Sequence, residues 1–80
     1  MTAPEALAVV RDERTRLGID DEMRVASTQR ALVPHSSDRT RSGPVEHRVA
    51  WVVTLSNEWG FAEVNVDDAT GRVLHVSRST

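Results

Sequence analysis

Residues 45–78 read VEHRVAWVVTLSNEWGFAEVNVDDATGRVLHVSR, and their alternation decides the fold. Val49, Trp51, Val53 and Leu55 fall on one side of an extended chain, and Arg48, Ala50, Val52 and Thr54 on the other. Asn57-Glu58-Trp59-Gly60 has the composition of a hairpin connection, and Phe61 to Val66 returns as a second strand. Asp67-Asp68-Ala69-Thr70-Gly71 reads as a turn, followed by a closing strand from Arg72 to Arg78. A one-residue slip moves every side chain to the wrong face, so the apolar sets must align. Val53 is therefore placed opposite Val64, Trp51 opposite Val66, Val64 opposite Val76 and Val66 opposite Leu74. One face then carries Val49, Trp51, Val53, Leu55, Ala62, Val64, Val66, Leu74 and Val76. The reverse face is mixed, with Val52, Phe61 and Val73 among Ala50, Thr54, Glu63, Asn65, His75 and Ser77.

The apolar face needs a cover, and the N-terminal segment supplies it. Thr2 with Glu5 forms a capping box, Pro4 sits in the first turn, and Gly18 ends the helix. Leu7, Val10, Arg14 and Leu17 recur at helical spacing, with Ala3 and Ala6 extending the stripe. Residues 19–22 read as an acidic turn. Residues 23–33, MRVASTQRALV, alternate imperfectly and are read as a strand, although Arg, Ala, Leu and Gln also suit a helix. Residues 34–44, bracketed by Pro34 and Pro44, read as a flexible loop. The expectation is a single α+β domain over residues 1–80, with an N-terminal helix packed on a four-stranded, mainly antiparallel sheet.

The stretch Ala50-Trp51-Val52-Val53-Thr54-Leu55, a short turn, then Ala62 to Leu74 resembles a PepSY-type domain, whose closing hairpin reads roughly V-x-V-D-x-x-T-G-x-V-L. About thirty residues carry the likeness, and the helix ending at Leu17-Gly18 suits the family's helix-then-sheet order. The motif is structural: Asp and Gly shape a turn and the valines fill a core. The resemblance implies a small non-enzymatic module with a cystatin-like layout. Such modules occur in propeptides that restrain secreted metallopeptidases and in cell-envelope proteins. This chain has no peptidase domain and no signal-like or membrane segment, which argues for the cytoplasm; a removed signal would place it outside.

Composition narrows the chemistry. There is no cysteine, so no disulfide, thiolate metal site or cysteine nucleophile. All ten cationic residues are arginine, which excludes Schiff-base chemistry on a lysine. A net charge of −2 argues against nucleic acid as a partner, and no apolar run reaches the length of a membrane span. His35, His47 and His75 lack metal-binding spacing, and Asp67-Asp68 lacks the EF-hand pattern, so no metal or cofactor is expected. Glu63 and His75 on the reverse face, with Trp59, could serve a small enzyme or ligand carrier, but no nucleophile or oxyanion hole accompanies them.

Trp59 admits two readings: it folds back over the sheet edge, or it anchors a contact. Arg39 and Arg41, with Arg24, Arg30 and Arg48, make the middle of the chain basic and suited to an acidic protein surface. The partner-contact candidates are Trp59, Phe61, Val52, Val73, His75, Arg39 and Arg41. The expected function is a non-catalytic interaction or regulatory module, with no catalytic residue. Its partner would be itself as a homodimer or another protein, such as a peptidase, a biosynthetic enzyme or an envelope protein. Peptidase restraint is the first alternative, and the Glu63–His75–Trp59 enzyme or carrier is the second.

Overall fold

In a computed structural model, which describes residues 1–35 and 46–79, helix α1 (Ala3–Leu17) packs on a four-stranded sheet. The strands are β1 (Arg24–His35), β2 (Glu46–Asn57), β3 (Gly60–Asp67) and β4 (Val73–Ser79). They lie in the order β1-β2-β3-β4, and each neighbouring pair is antiparallel. This is the expected α+β arrangement.

Local chemistry fixes the helix ends as anticipated. Thr2 N donates to Glu5 Oε1 and Glu5 N donates to Thr2 Oγ1, completing the capping box. Gly18 adopts φ 70°, a left-handed conformation, and its N–H reaches the carbonyls of Arg14 and Thr15. Residues 24–33 are strand, which settles the open choice at that segment, and β1 runs on through Pro34 and His35. Those two residues leave the expected loop, and the remainder of it lies outside the described residues.

The core lies between α1 and the sheet. Val10, Ile19, Val53, Leu55, Val64 and Val66 form it, with Leu7, Leu17, Met23, Trp51, Val73 and Val76 packed around them. Ile19, assigned from sequence to an acidic turn, is buried where the chain leaves the helix. Arg14 interrupts the apolar stripe because its guanidinium donates to the carbonyl of Met23, tying the helix to the approach to β1.

Val53 pairs with Val64, Trp51 with Val66 and Val64 with Val76, as the alignment of apolar faces requires. The expected partner of Val66 is corrected: it pairs with Val73, because the register shifts after Asn65 and leaves Leu74 as the extra residue. Val73 and Val76 therefore both pack on the helix-side core, although they are three residues apart. A second irregularity, between Val25 and Ser27, leaves Ala26 extra and puts Val25 opposite Leu55 and Thr28 opposite Val53. The broken alternation of residues 23–33 is thus a β-bulge. Val49, expected in the core, is 39% exposed because it precedes the part of β2 that β3 covers.

Candidate functional site

The sheet face opposite α1 holds most of the candidate residues. Residues directly opposite one another in an antiparallel pair share a face. Ala31, Ala50 and Asp67 therefore form one row across the open face, and Gln29, Val52, Asn65 and His75 another. Ala50 and Val52 are buried between their cross-strand neighbours, so Val52 contributes little exposed area. Val73 belongs to the helix side, which removes it from this surface. Phe61 remains on it and is half exposed.

The strongest electrostatic feature is a corner at the end of β3. The guanidinium of Arg48 grips Asp67 bidentately, with Nε 3.2 Å from Oδ1 and Nη2 2.9 Å from Oδ2. Thr70 Oγ1 donates to Oδ2 at 2.7 Å, and Asp67 is 2% exposed. The Thr70 hydroxyl, and then Arg48, hold the Asp67 carboxyl below its ordinary value of 3.8, against burial, which raises it. Both carboxylate oxygens are engaged, so Asp67 is a lock on the turn, not a base with a free lone pair aimed at solvent. Asp68 serves the opposite face, accepting from Trp51 Nε1 at 2.9 Å and lying 3.6 Å from Arg30 Nη2. Gly71, at φ 72°, closes the turn with N–H donation to the Asp67 carbonyl.

From sequence, Asp67 belongs to a turn and Arg48 to a basic stretch, and composition alone does not join them. The signal was present in the register: Trp51 opposite Val66 places Asp67 opposite Ala50, diagonal to Arg48 on the same face.

Beside this corner, Val33, His35, Glu63, Asn65, Leu74 and His75 line a groove of about 450 Å³ across the open face. Glu63 and His75 are thus brought into one groove, as the carrier reading requires. The pairing of Glu63 is with Ser77, however, and the His75 ring lies 2.9 Å from Ser77 Oγ. Asn65 Oδ1 is buried without a hydrogen-bond partner among the described residues. Trp59 does not join this group. It stands in the turn between β2 and β3, beside a separate notch of about 340 Å³ that includes Ile19, Met23 and Arg78.

No known protein family, characterised protein or solved structure matches this chain.

The turn that carries Trp59 is tightly built. Asn57 Oδ1 accepts from the N–H of Trp59 at 2.8 Å and from that of Gly60 at 3.0 Å. The backbone is fixed while the indole is 75% exposed. Of the two readings of Trp59, folding back over the sheet edge is therefore the one the geometry does not adopt. Arg39 and Arg41 lie outside the described residues. His47 is exposed, and among the described residues no three of His, Asp and Glu gather where they could hold a metal ion. Nor, among them, is any helix long and apolar enough to cross a membrane.

Proposed function

We propose that this protein is a non-catalytic interaction module of PepSY-like type, contacting another protein through the β2–β3 turn. The observation that carries this reading is Trp59, an indole 75% exposed on a turn whose backbone is held by two bonds to Asn57. A pre-ordered aromatic loses little conformational freedom on binding and supplies a large area to bury. Half-exposed Phe61, two residues on, extends the apolar surface. The engagement of both Asp67 oxygens and of the His75 ring argues for structure over catalysis at the polar corner. The likeness of the C-terminal hairpin to PepSY domains supports the same class of function.

The test is paired capture from an extract of the source cells with wild-type protein and Trp59→Ser. An interfacial tryptophan at a hot spot is worth about 2 kcal/mol or more, so retention of a discrete partner should fall roughly thirtyfold or further. The melting temperature should stay unchanged, because the side chain is exposed. Equal retention by Trp59→Ser and by the Trp59→Ser/Phe61→Ser double variant would refute the assignment.

A further inference from the structure

We propose that the outer edge of β1 pairs with the same edge of a second copy, antiparallel about a twofold axis at Ala31, joining two sheets into one of eight strands. The hairpin sets the phase. Asn57 and Gly60 flank the two-residue turn Glu58-Trp59 and form its hydrogen-bonded pair. Counting by twos along β2, Leu55, Val53 and Trp51 direct their backbone groups to β3, and Thr54, Val52, Ala50 and Arg48 to β1. The bond from Asp68 N to the Val49 carbonyl, 3.0 Å, agrees with that phase. Opposite the second set stand Ser27, Gln29, Ala31 and Val33. The backbone N–H and C=O groups of Thr28, Arg30 and Leu32 therefore point away from the sheet. Pro34 falls on the same outward phase, where its missing N–H breaks no internal bond.

Among the described residues no strand pairs with this edge, and it is bracketed at both ends. The bulge at Ala26 interrupts it at one end and Pro34 closes it at the other, two devices that blunt strand edges. Between them lies a short window that includes Leu32, which is 64% exposed. Its cross-strand neighbour Val49 is also exposed, so the helix side of the sheet has an apolar pair at its margin.

A second copy fits the window best with the twofold axis at Ala31, which uses all of Thr28, Arg30, Leu32 and Pro34. With Ala31 on the axis, Arg30 faces Leu32 of the second copy and Thr28 faces its Pro34. About six backbone hydrogen bonds result, because Pro34 can accept but not donate. The two Leu32 side chains become diagonal neighbours across the axis, each against a Val49, and on the open face Ala31 meets Ala31 without crowding. With Ala31 on the axis the two Arg30 are only diagonal, each beside an Asp68 3.6 Å away, whereas moving the axis to Arg30 opposes the like charges directly, which is destabilising. Moving it to Gln29 runs Leu32 onto the bulge at Ala26. This surface goes beyond the Trp59 contact and does not depend on it.

The absence of cysteine makes the test direct. Cysteine is placed singly at Gln29, Arg30, Ala31 and, as an exposed control, Trp59 in the full chain, and disulfide formation is followed under mild oxidation. Across the axis Ala31 is a non-hydrogen-bonded pair with Cα atoms about 4.5 Å apart, within disulfide reach. Ala31→Cys should cross-link at least tenfold faster than the other three. In wild-type protein, the Thr28, Arg30 and Leu32 amides should gain protection from exchange as concentration rises roughly a hundredfold. Leu32→Glu should remove that gain without changing the fold.

Cross-linking led by position 29 or 30 would overturn the register. Cross-linking at 31 no faster than at 59, or amide exchange independent of protein concentration, would overturn self-pairing. Protection that appears only when another protein is added would assign the edge to a different strand. Each of these failures leaves the capture result with Trp59→Ser unaffected.

Discussion

Replacing Asp67 by asparagine tests the electrostatic corner with almost no change of shape. Asparagine keeps one acceptor oxygen, and its amide falls either against Arg48 Nε, at the Oδ1 position, or against both Arg48 Nη2 and Thr70 Oγ1, at the Oδ2 position, all of which donate to Asp67 in the native protein. One charge-assisted bond is lost, worth about 1.5–3 kcal/mol, and a donor is set against a donor. The Arg48 side chain is 35% exposed, so its guanidinium can recover water, which keeps the cost below the 3–5 kcal/mol typical of breaking a fully buried pair. The expected destabilisation is about 2–3 kcal/mol at neutral pH. A domain of this size has about 4–12 kcal/mol in total, and the melting temperature should fall by roughly 10–20 °C.

The pH dependence has a definite sign. The folded carboxyl titrates below the ordinary 3.8, so the stability it contributes is complete above that value. It drains away as pH falls from there through the lowered folded value. Urea unfolding followed by circular dichroism should therefore show the wild-type and Asp67→Asn curves well separated at neutral pH and converging in strong acid. A gap under about 0.5 kcal/mol at neutral pH, or one that acid does not close, would refute the argument.

Two further substitutions probe other parts of the structure. Leu55→Ala removes the largest fully buried side chain under the helix and should cost about 2–5 kcal/mol by thermal unfolding. Trp51→Phe keeps the ring against the core but deletes the indole N–H that Asp68 accepts. It should cost about 1 kcal/mol in urea unfolding, and an Asp68→Ala background should erase most of that difference in a double-mutant cycle.

The helix and the β2–β3 pairing were legible because they rest on local chemistry and on burial. Thr2, Glu5 and Gly18 mark the helix by caps, and only one register sets Val53 and Trp51 against Val64 and Val66. The errors cluster at the bulges. Periodicity has no mark for an extra residue, so it puts Leu74 on the core face that Val73 occupies and makes the break at Ala26 read as weak strand character. Ile19 was missed because its neighbours Gly18 and Asp20 read as a turn, while burial there depends on where the chain crosses the end of the sheet. In the candidate site, the joint placement of Glu63 and His75 followed from register alone. The exposure of Trp59 needed the Asn57 bonds that hold the turn, and the Arg48–Asp67 pair needed the diagonal geometry to be followed one step further.

Asp67 and Asp68 put two carboxylates next to each other at the end of β3, an arrangement that would repel if both pointed the same way. The strand sends one to each side of the sheet, and each finds cations there: Arg48 for Asp67, and for Asp68 both Arg30 and the N-terminal ammonium of Met1, each 3.6 Å away. Those arginines come from neighbouring strands, so this one dipeptide cross-braces the meander to both of the strands that precede it. Among the described residues strand β1 is joined to the sheet along one side, by β2, and the Asp68 contact gives it a second tether that bypasses β2. The tether is an exposed ion pair worth at most about 1 kcal/mol, so it should slow fraying from the Arg24 end only modestly once opening reaches Arg30.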